Sequence, residues 1–323
     1  MKLSIVIPMY NEEDTIPHLK NRFNQLFHDW SFDYELILVD DGSRDRGPEL
    51  VQQWIKENHH VMLIKLSRNF GHQQAITAGL CESNGDCVVI MDADLQDPPE
   101  EIQRMVEKWQ EGYKIVFADR KTRQDGFLRK ILFHLFYKIF IFFSELPIVI
   151  NSGVFGLMDR VVVNHLLNMT ERNRFIPGMR GWIGFETTTI YYERQKRVGG
   201  EPKQNLKRLI SYALNAIFSF SYKPLRASFL IGMGTTIFFS IYGIVLVVMR
   251  LLNINVVRGF TTPSVAIFFI GGLMLISNGI MGEYIARIYD EVKRRPIYIA
   301  SKKTYREADS DLIETDLNDA YYP

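Results

Sequence analysis

Charge of one sign is what this chain has least of. Lys and Arg number 38 against 37 Asp and Glu, a formal net charge of +1 over 323 residues. No overall field therefore draws the chain to a polyanion, and nucleic acid is excluded as an expected partner. Cysteine is almost missing too. Cys81 and Cys87 flank a turn into a strand and read as two small buried residues of a reducing compartment, not as a disulfide scaffold or a thiolate metal site. There is no internal repeat, which excludes solenoids and propellers. There is no leader pattern either, because the strand pattern begins within the first residues, so a signal peptide is not expected.

What the chain does have is one pattern used again and again: an apolar run that ends in a polar cluster. Residues 3–8 read as a buried strand, turning at Met9-Tyr10-Asn11-Glu12-Glu13 into a helix. Residues 35–39 run into Asp40-Asp41-Gly42-Ser43, and residues 61–66 into Ser67-Arg68-Asn69-Phe70-Gly71. Residues 88–91 run into Asp92-Ala93-Asp94-Leu95-Gln96-Asp97-Pro98-Pro99, and residues 114–118 into Asp119-Arg120. Helical stretches lie between these runs, which is the alternation of an α/β protein with a mostly parallel sheet. In such a sheet the carboxyl ends of the strands share one edge, and that edge is where ligands bind.

Asp92 and Asp94, one residue apart at a strand's end, bring several anionic oxygens to one small space. Such a cluster suits a hard divalent cation that also takes phosphate oxygens. Taken alone, the pattern reads equally as a strand, an Asx turn and a Pro-Pro helix start; the company of the other strand-end clusters favours the metal.

Two apolar runs stand apart from this pattern. Residues 227–249 carry no charge between Arg226 and Arg250, and residues 259–282 none between Arg258 and Glu283. At about 1.5 Å per residue, each is long enough for a hydrocarbon core of roughly 30 Å. Lys203, Lys207, Arg208, Lys223 and Arg226 precede the first; Arg287, Lys293, Arg294 and Arg295 follow the second; only Arg250 and Arg258 lie between. Basic flanks of this kind put both ends on the cytoplasmic side of a plasma membrane. Residues 127–146 have the period of a cationic amphipathic helix lying at a membrane surface or packed on the protein.

The implied organisation is a cytoplasmic catalytic domain over 1–202 and a juxtamembrane helix over 203–226. Transmembrane helices over 227–249 and 263–286 follow, joined by an external loop over 250–262, and then a cytoplasmic tail over 287–323, polar and disordered towards its end. Gly232, Gly234, Gly271, Gly272, Gly279 and Gly282 allow close helix contact, so a homo-oligomer is expected.

In their order and spacing, VIPMYNEE (6–13), VDDGS (39–43), SRNFGH (67–72) and MDADLQDPP (91–99) resemble the family 2 glycosyltransferases of GT-A fold. More narrowly, they resemble the polyprenyl-phosphate glycosyltransferases. The likeness continues through 153–160, 174–185 and 197–203, and so covers roughly residues 1–225 and the two apolar runs. It implies a Rossmann-like, mostly parallel GT-A domain, followed by interfacial helices and two transmembrane helices. The activity it implies is inverting, metal-dependent transfer of one hexose from a nucleotide sugar to a polyprenyl phosphate at the cytoplasmic face. By likeness to bacterial two-span members, the pair would be UDP-glucose and undecaprenyl phosphate.

The resemblance also assigns residues. Pro8, Tyr10, Asn11, Glu12, Asp40 and Asp41 would hold the nucleoside, with Arg68 and Asn69 beside base and sugar and with Asp92 and Ala93 at the ribose. Asp92, Asp94 and Gln96 would hold Mg²⁺ or Mn²⁺, and Arg120, Arg123, Arg197 and Lys203 would meet the acceptor phosphate and the donor diphosphate. Asp92, Asp94 and Arg120 are the residues expected to act in catalysis.

The chain also departs from the family. Where many relatives read D-x-G-D-F-R-L, it has Asn151-Ser152-Gly153-Val154-Phe155-Gly156-Leu157, lacking both acids and the arginine. No catalytic base can be carried over from that stretch, and Asp159 reads as a helix-start carboxylate. A phosphate nucleophile, already ionised near neutral pH, needs none. Two other readings stay open. A processive polysaccharide synthase is disfavoured by the missing Q-x-x-R-W motif, and an inactive membrane-anchored nucleotide-sugar binder by the intact Asp92-Ala93-Asp94.

Overall fold

The computed structural model describes residues 1–30, 32–120, 153–195, 222–252, 261–308, 310–316 and 320–321. The expected amphipathic helix (127–146), most of the juxtamembrane segment, and Arg123, Arg197 and Lys203 lie outside them.

The apolar runs become the centre of a sheet. Strands β1 (Lys2–Met9), β2 (Asp33–Asp40), β3 (Val61–Leu66) and β4 (Cys87–Ile90) lie parallel in the order β3-β2-β1-β4. Their inner residues are buried on both faces, as a parallel sheet covered by helices requires. Pro8 sits past the last β1–β4 pair, Val6 with Ile90, where its missing N–H leaves no gap in that ladder. Helices α1 (Ile16–Asp29), α2 (Gly47–Glu57), α3 (His72–Glu82) and α4 (Glu101–Gln110) supply the crossovers. Gly79 brings α3 hard against β1, since a Cβ there would lie 2.3 Å from a Val6 methyl. Trp54, fully buried in α2, is the largest side chain of the core; its removal would cost about 3–5 kcal/mol.

Beyond β4 the sheet is mixed. Strand β6 (Gly156–Asp159) inserts antiparallel between β4 and β5 (Ile115–Arg120), and β7 (Thr187–Tyr192) pairs parallel with β5. Two reversals cancel, so β5 ends on the same edge as β1 to β4. Asp159 caps α5 (Arg160–Leu167), accepting from Val161 N at 2.9 Å, as its sequence position predicts. It also accepts from Trp109 and Lys114, which ties the cap to neighbouring elements and marks the residue as structural. Helix α6 (Ile176–Trp182) precedes β7. Both cysteines are free thiols; Cys87 is buried in β4 and its thiol is pushed up to about 12 by burial.

Helices α7 (Lys223–Leu251) and α8 (Thr261–Val292) are apolar around most of their length and belong to a second compact unit. Stretches of 23 and 24 residues, Lys223–Val245 and Phe269–Val292, are long and apolar enough to cross a membrane.

The tail corrects two expectations. Strands form within it, at 298–306, 312–316 and 320–321, and the first unit is not confined to residues 1–202, since it resumes after residue 293. Strand β8 (Tyr298–Arg306) pairs antiparallel with the edge of β3, β9 (Leu312–Asp316) pairs with β8, and β10 (Ala320–Tyr321) pairs with β8 at Tyr298 and Ile299. The polar composition that suggested disorder belongs to an edge hairpin. Tyr298, Ala300 and Thr304 are buried, while Lys302 and Lys303 reach out to pair with Glu314 and Glu82.

Candidate active site

The turns after β1 and β2 are laced together. Asn11, in the left-handed region at φ 53°, donates its N–H to Ser43 Oγ (3.0 Å), and its side-chain oxygen accepts from Arg44 N (2.9 Å). Glu12 accepts from the Thr15 hydroxyl at the start of α1, which places it as a helix-entry carboxylate, and Tyr10 beside it is partly exposed. Gly42, at φ 72°, lies so close to Arg68 and Asn69 that a Cβ would meet their backbone at 2.6–2.7 Å.

Asp41 reaches across the same gap. Its carboxylate accepts from Phe70 N (2.7 Å) and Gly71 N (3.0 Å), fixing the turn that carries Arg68 and Asn69. Asp41 therefore holds these turns together from within rather than standing free at the sheet's edge. Asp40 is fully buried; Oδ1 accepts from Ser43 N at 2.8 Å, and Oδ2 has no hydrogen-bond partner among the described residues. Burial raises the pKa of both carboxyls. Arg68 is exposed and lies over the Phe70 ring, 4.2 Å from its centroid.

The turn after β4 faces this group. Asp92 and Asp94 sit at its rim around a buried Ala93, and Leu95, buried at φ 55°, holds a backbone conformation that costs a non-glycine residue energy. Asp92 Oδ1 lies 2.8 Å from His72 Nε2 at the start of α3. Desolvation works against the Asp92 charge, but His72, with Arg120 and Arg194 behind it, outweighs that and lowers its pKa. Asp94 accepts from Gln96 N at 3.1 Å.

The expected metal set is not brought together whole, because the side-chain oxygen of Gln96 accepts from Arg194. Among the described residues no group of three His, Cys, Asp or Glu forms a metal cage. Two neighbouring carboxylates at a rim are nonetheless the donor set that Mg²⁺ or Mn²⁺ takes when substrate phosphates fill the remaining positions. The residues present fit a shared ion and do not fit a resident one.

Arg120, at the end of β5, is not free for substrate alone. Its Nε donates to Tyr192 Oη at 3.2 Å and its Nη2 lies 3.6 Å from Asp97 Oδ1. The departure from the family pattern also has a physical cause. A Cβ at Gly156 would lie 2.6 Å from Val116 O and 2.8 Å from Arg180 Nη1, so no arginine fits there. Arg180, fully buried in α6, occupies that space and donates to Gly153 O at 2.7 Å.

These strand-end clusters and the adjacent acid pair coincide with a family profile. Glycosyl transferase family 2 matches residues 4–167. The chain belongs to this family. The transferase is 41% identical over 303 residues to an uncharacterized glycosyltransferase of Synechocystis sp., covering 93% of this chain and 95% of that one. It is 39% identical over 307 residues to the SfII prophage-derived bactoprenol glucosyl transferase of Shigella flexneri, covering 95% and 99%. Among solved structures, mannosyl-3-phosphoglycerate synthase from Rubrobacter xylanophilus is 19% identical with a TM-score of 0.48, over 70% of this chain and 74% of that one. Family membership and the observed strand order together give the transferase an α/β catalytic domain of GT-A type, with a mixed, mostly parallel sheet.

Four residues of the site escaped the sequence reading: His72, Asp97, Tyr192 and Arg194. His72 and Asp97 stood inside motifs already singled out, so a polar side chain within a strand-end motif was signal enough for them. Tyr192 and Arg194 carried no local signal.

Proposed function

We propose that the transferase moves one glucosyl unit from UDP-glucose to undecaprenyl phosphate at the cytoplasmic face of a membrane. The observation that carries this reading is the pairing of Asp92 and Asp94 at the rim of the sheet with near full-length likeness to a bactoprenol glucosyl transferase. Asp40, with an unsatisfied buried oxygen, and Asp41 form the nucleoside end, where a base N–H is the natural complement to a carboxylate. Tyr10, Asn11, Glu12, Arg68 and Asn69 border it. A Mg²⁺ or Mn²⁺ ion held by Asp92 and Asp94 would supply Lewis-acid stabilisation of the charge that grows on the leaving diphosphate.

In the transfer itself, an acceptor phosphate oxygen forms a bond to the anomeric carbon as the bond from that carbon to the diphosphate breaks, inverting the centre. The phosphate is already ionised, so no proton has to leave and no base is required. What the site must do is line up two anions that repel each other. Arg120 is the described cation for that task, with Arg123, Arg197 and Lys203 proposed beside it.

The membrane location is inferred from α7 and α8, each of which holds a stretch long and apolar enough to cross a membrane. The chain belongs to the first unit up to residue 204 and again from residue 294, which supports an even number of crossings with both ends on one side. Open space around the would-be Cβ of Gly232, Gly234, Gly271, Gly272, Gly279 and Gly282 supports self-association through the hairpin.

The test incubates membranes containing the full-length protein with undecaprenyl phosphate and a series of radiolabelled nucleotide sugars. Label from UDP-glucose should enter the lipid fraction as a single sugar, and Asp94→Ala should lower that signal roughly a hundredfold or more. Label that enters only polymer, or an Asp94→Ala protein of full activity, would overturn the reading.

A further inference from the structure

Behind the acid pair, the turn 96–100 is joined at several points to residues 192–195, the last residue of β7 and the three that follow it. The Tyr192 hydroxyl donates to Asp97 Oδ1, and Arg120 donates to the Tyr192 hydroxyl while lying 3.6 Å from the same carboxylate. Gln195 N donates to Gln96 O at 3.1 Å, and Arg194 donates to the Gln96 side chain. Arg22 bridges the two segments, binding Glu100 through Nε (2.6 Å) and Nη2 (2.7 Å) and Gln195 Oε1 through Nη1 (2.8 Å). Phe155 packs edge-on against the Tyr192 ring at 5.5 Å.

Asp97 and Tyr192 are each only 2% exposed. Burying a carboxylate here is expensive. Desolvation and the neighbouring Asp92 charge push its pKa up, and only Tyr192 and Arg120 work the other way. A buried apolar side chain would close the same gap at less cost, so packing alone does not account for the group. What the cluster does hold is two active-site parts at once. It fixes the guanidinium of Arg120, whose charge also acts on Asp92, and it stands beside the contacts of residues 194 and 195 with Gln96, two residues past Asp94.

We propose that Asp97 and Tyr192 are positioning residues for sugar transfer, holding Arg120 and the end of β7 in register with the acid pair. The inference rests on the lipid-phosphate glucosyltransferase reading above and adds a pair of residues to it. Neither residue touches substrate in this scheme; both act through Arg120 and through residues 193–195.

The experiment uses the full-length protein as wild type, Tyr192→Phe, Asp97→Asn and the double variant, with UDP-glucose and undecaprenyl phosphate varied in turn. Tryptic cleavage after Arg194 is followed in the same preparations. Wild-type transfer tests the functional reading by itself, so a failure there is distinct from a failure among the variants. Each single variant should lower kcat about ten- to a hundredfold while KM for the donor stays within about threefold, as misplacement of a catalytic constellation does. The double variant should fall no further than the worse single one, because both break one unit. Cleavage after Arg194 should accelerate in all three. A Tyr192→Phe protein with wild-type kcat, a loss confined to KM, or losses that multiply in the double variant would each overturn the proposal. Tyr192→Phe keeps its ring against Phe155, so it remains decisive if Asp97→Asn fails to fold. Should the wild type use another donor, unchanged cleavage in Tyr192→Phe overturns the proposal without any transfer assay.

Discussion

Strand β2 carries a buried carboxylate at each end, and the two are treated in opposite ways. Glu35, near its start, is fully provided for: Oε1 accepts from Ser4 Oγ and from Asn84 N, both at 2.6 Å, and Lys2 Nζ lies 2.7 Å from Oε2. Burial opposes its charge, but Asn84, Lys2 and Ser4 together outweigh that and hold its pKa low. Asp40, at the other end, has one oxygen satisfied and one left over, and burial prevails in raising its pKa. Only the second end lies on the ligand edge. One end of the strand is arranged for folding, and the other keeps hydrogen-bonding capacity in reserve, as functional sites do at a cost in stability.

The comparison can be broken at either end. Glu35→Ala should have the largest effect, a loss of about 2–4 kcal/mol, because it strands the groups that converge on that carboxylate. The measurement is the thermal midpoint of the purified full-length protein, and a neutral result would remove the stabilising half of the contrast. Asp40→Asn comes next. It should weaken binding of UDP about tenfold, through loss of a charged acceptor, and leave the thermal midpoint unchanged or higher. Titration calorimetry with UDP, read beside the melting curve, separates this from a folding defect; lower stability with unaltered UDP binding would reverse the assignment.

The smallest effect is the pH dependence. The folded-state pKa of Glu35 lies below its unfolded value, so its contribution is fully present above the ordinary carboxylate range and is lost as pH falls through the depressed value. Asp40 is raised and has the opposite sign, so protonating it on the way down from neutral favours the folded state. Midpoints measured against pH should therefore show a shallow acid-side rise that Asp40→Asn reduces without abolishing, since Asp41 and Asp97 are raised too, then a fall that Glu35→Gln makes less steep.

Much of this architecture was legible because parallel strands write their chemistry locally. Each apolar run of β1 to β5 ends within a residue or two of the polar cluster it presents, so Asp40, Asp41, Asp92, Asp94 and Arg120 could be placed on one edge from sequence alone. Pairings between distant segments were not legible. His72 meets Asp92 across 20 residues and Tyr192 meets Asp97 across 95, and no periodicity records such a meeting. Strand β6 was hidden by its brevity, four residues between longer elements. The tail was misread for a different reason. Its alternation at Tyr298, Ala300 and Thr304 is a real strand signal, but Lys302, Lys303 and Arg306 obscure it, since strands near the margin of a sheet leave one face half-exposed where the central strands are buried on both.

The strands that the tail contributes have a consequence for how the protein is made. Translation runs from the amino terminus, so residues 298–321 emerge from the ribosome after α7 and α8. Until they arrive, the backbone groups of Leu63 to Leu66 that will pair with β8 remain an open edge, the kind of surface on which unfinished chains join one another. A nascent chain that stalls in the hairpin, or is cut short just after it, keeps its acid pair but never closes its sheet. Completion of the catalytic unit is thereby made to wait for synthesis of α7 and α8, which the chain must finish before the strands that close its sheet can form.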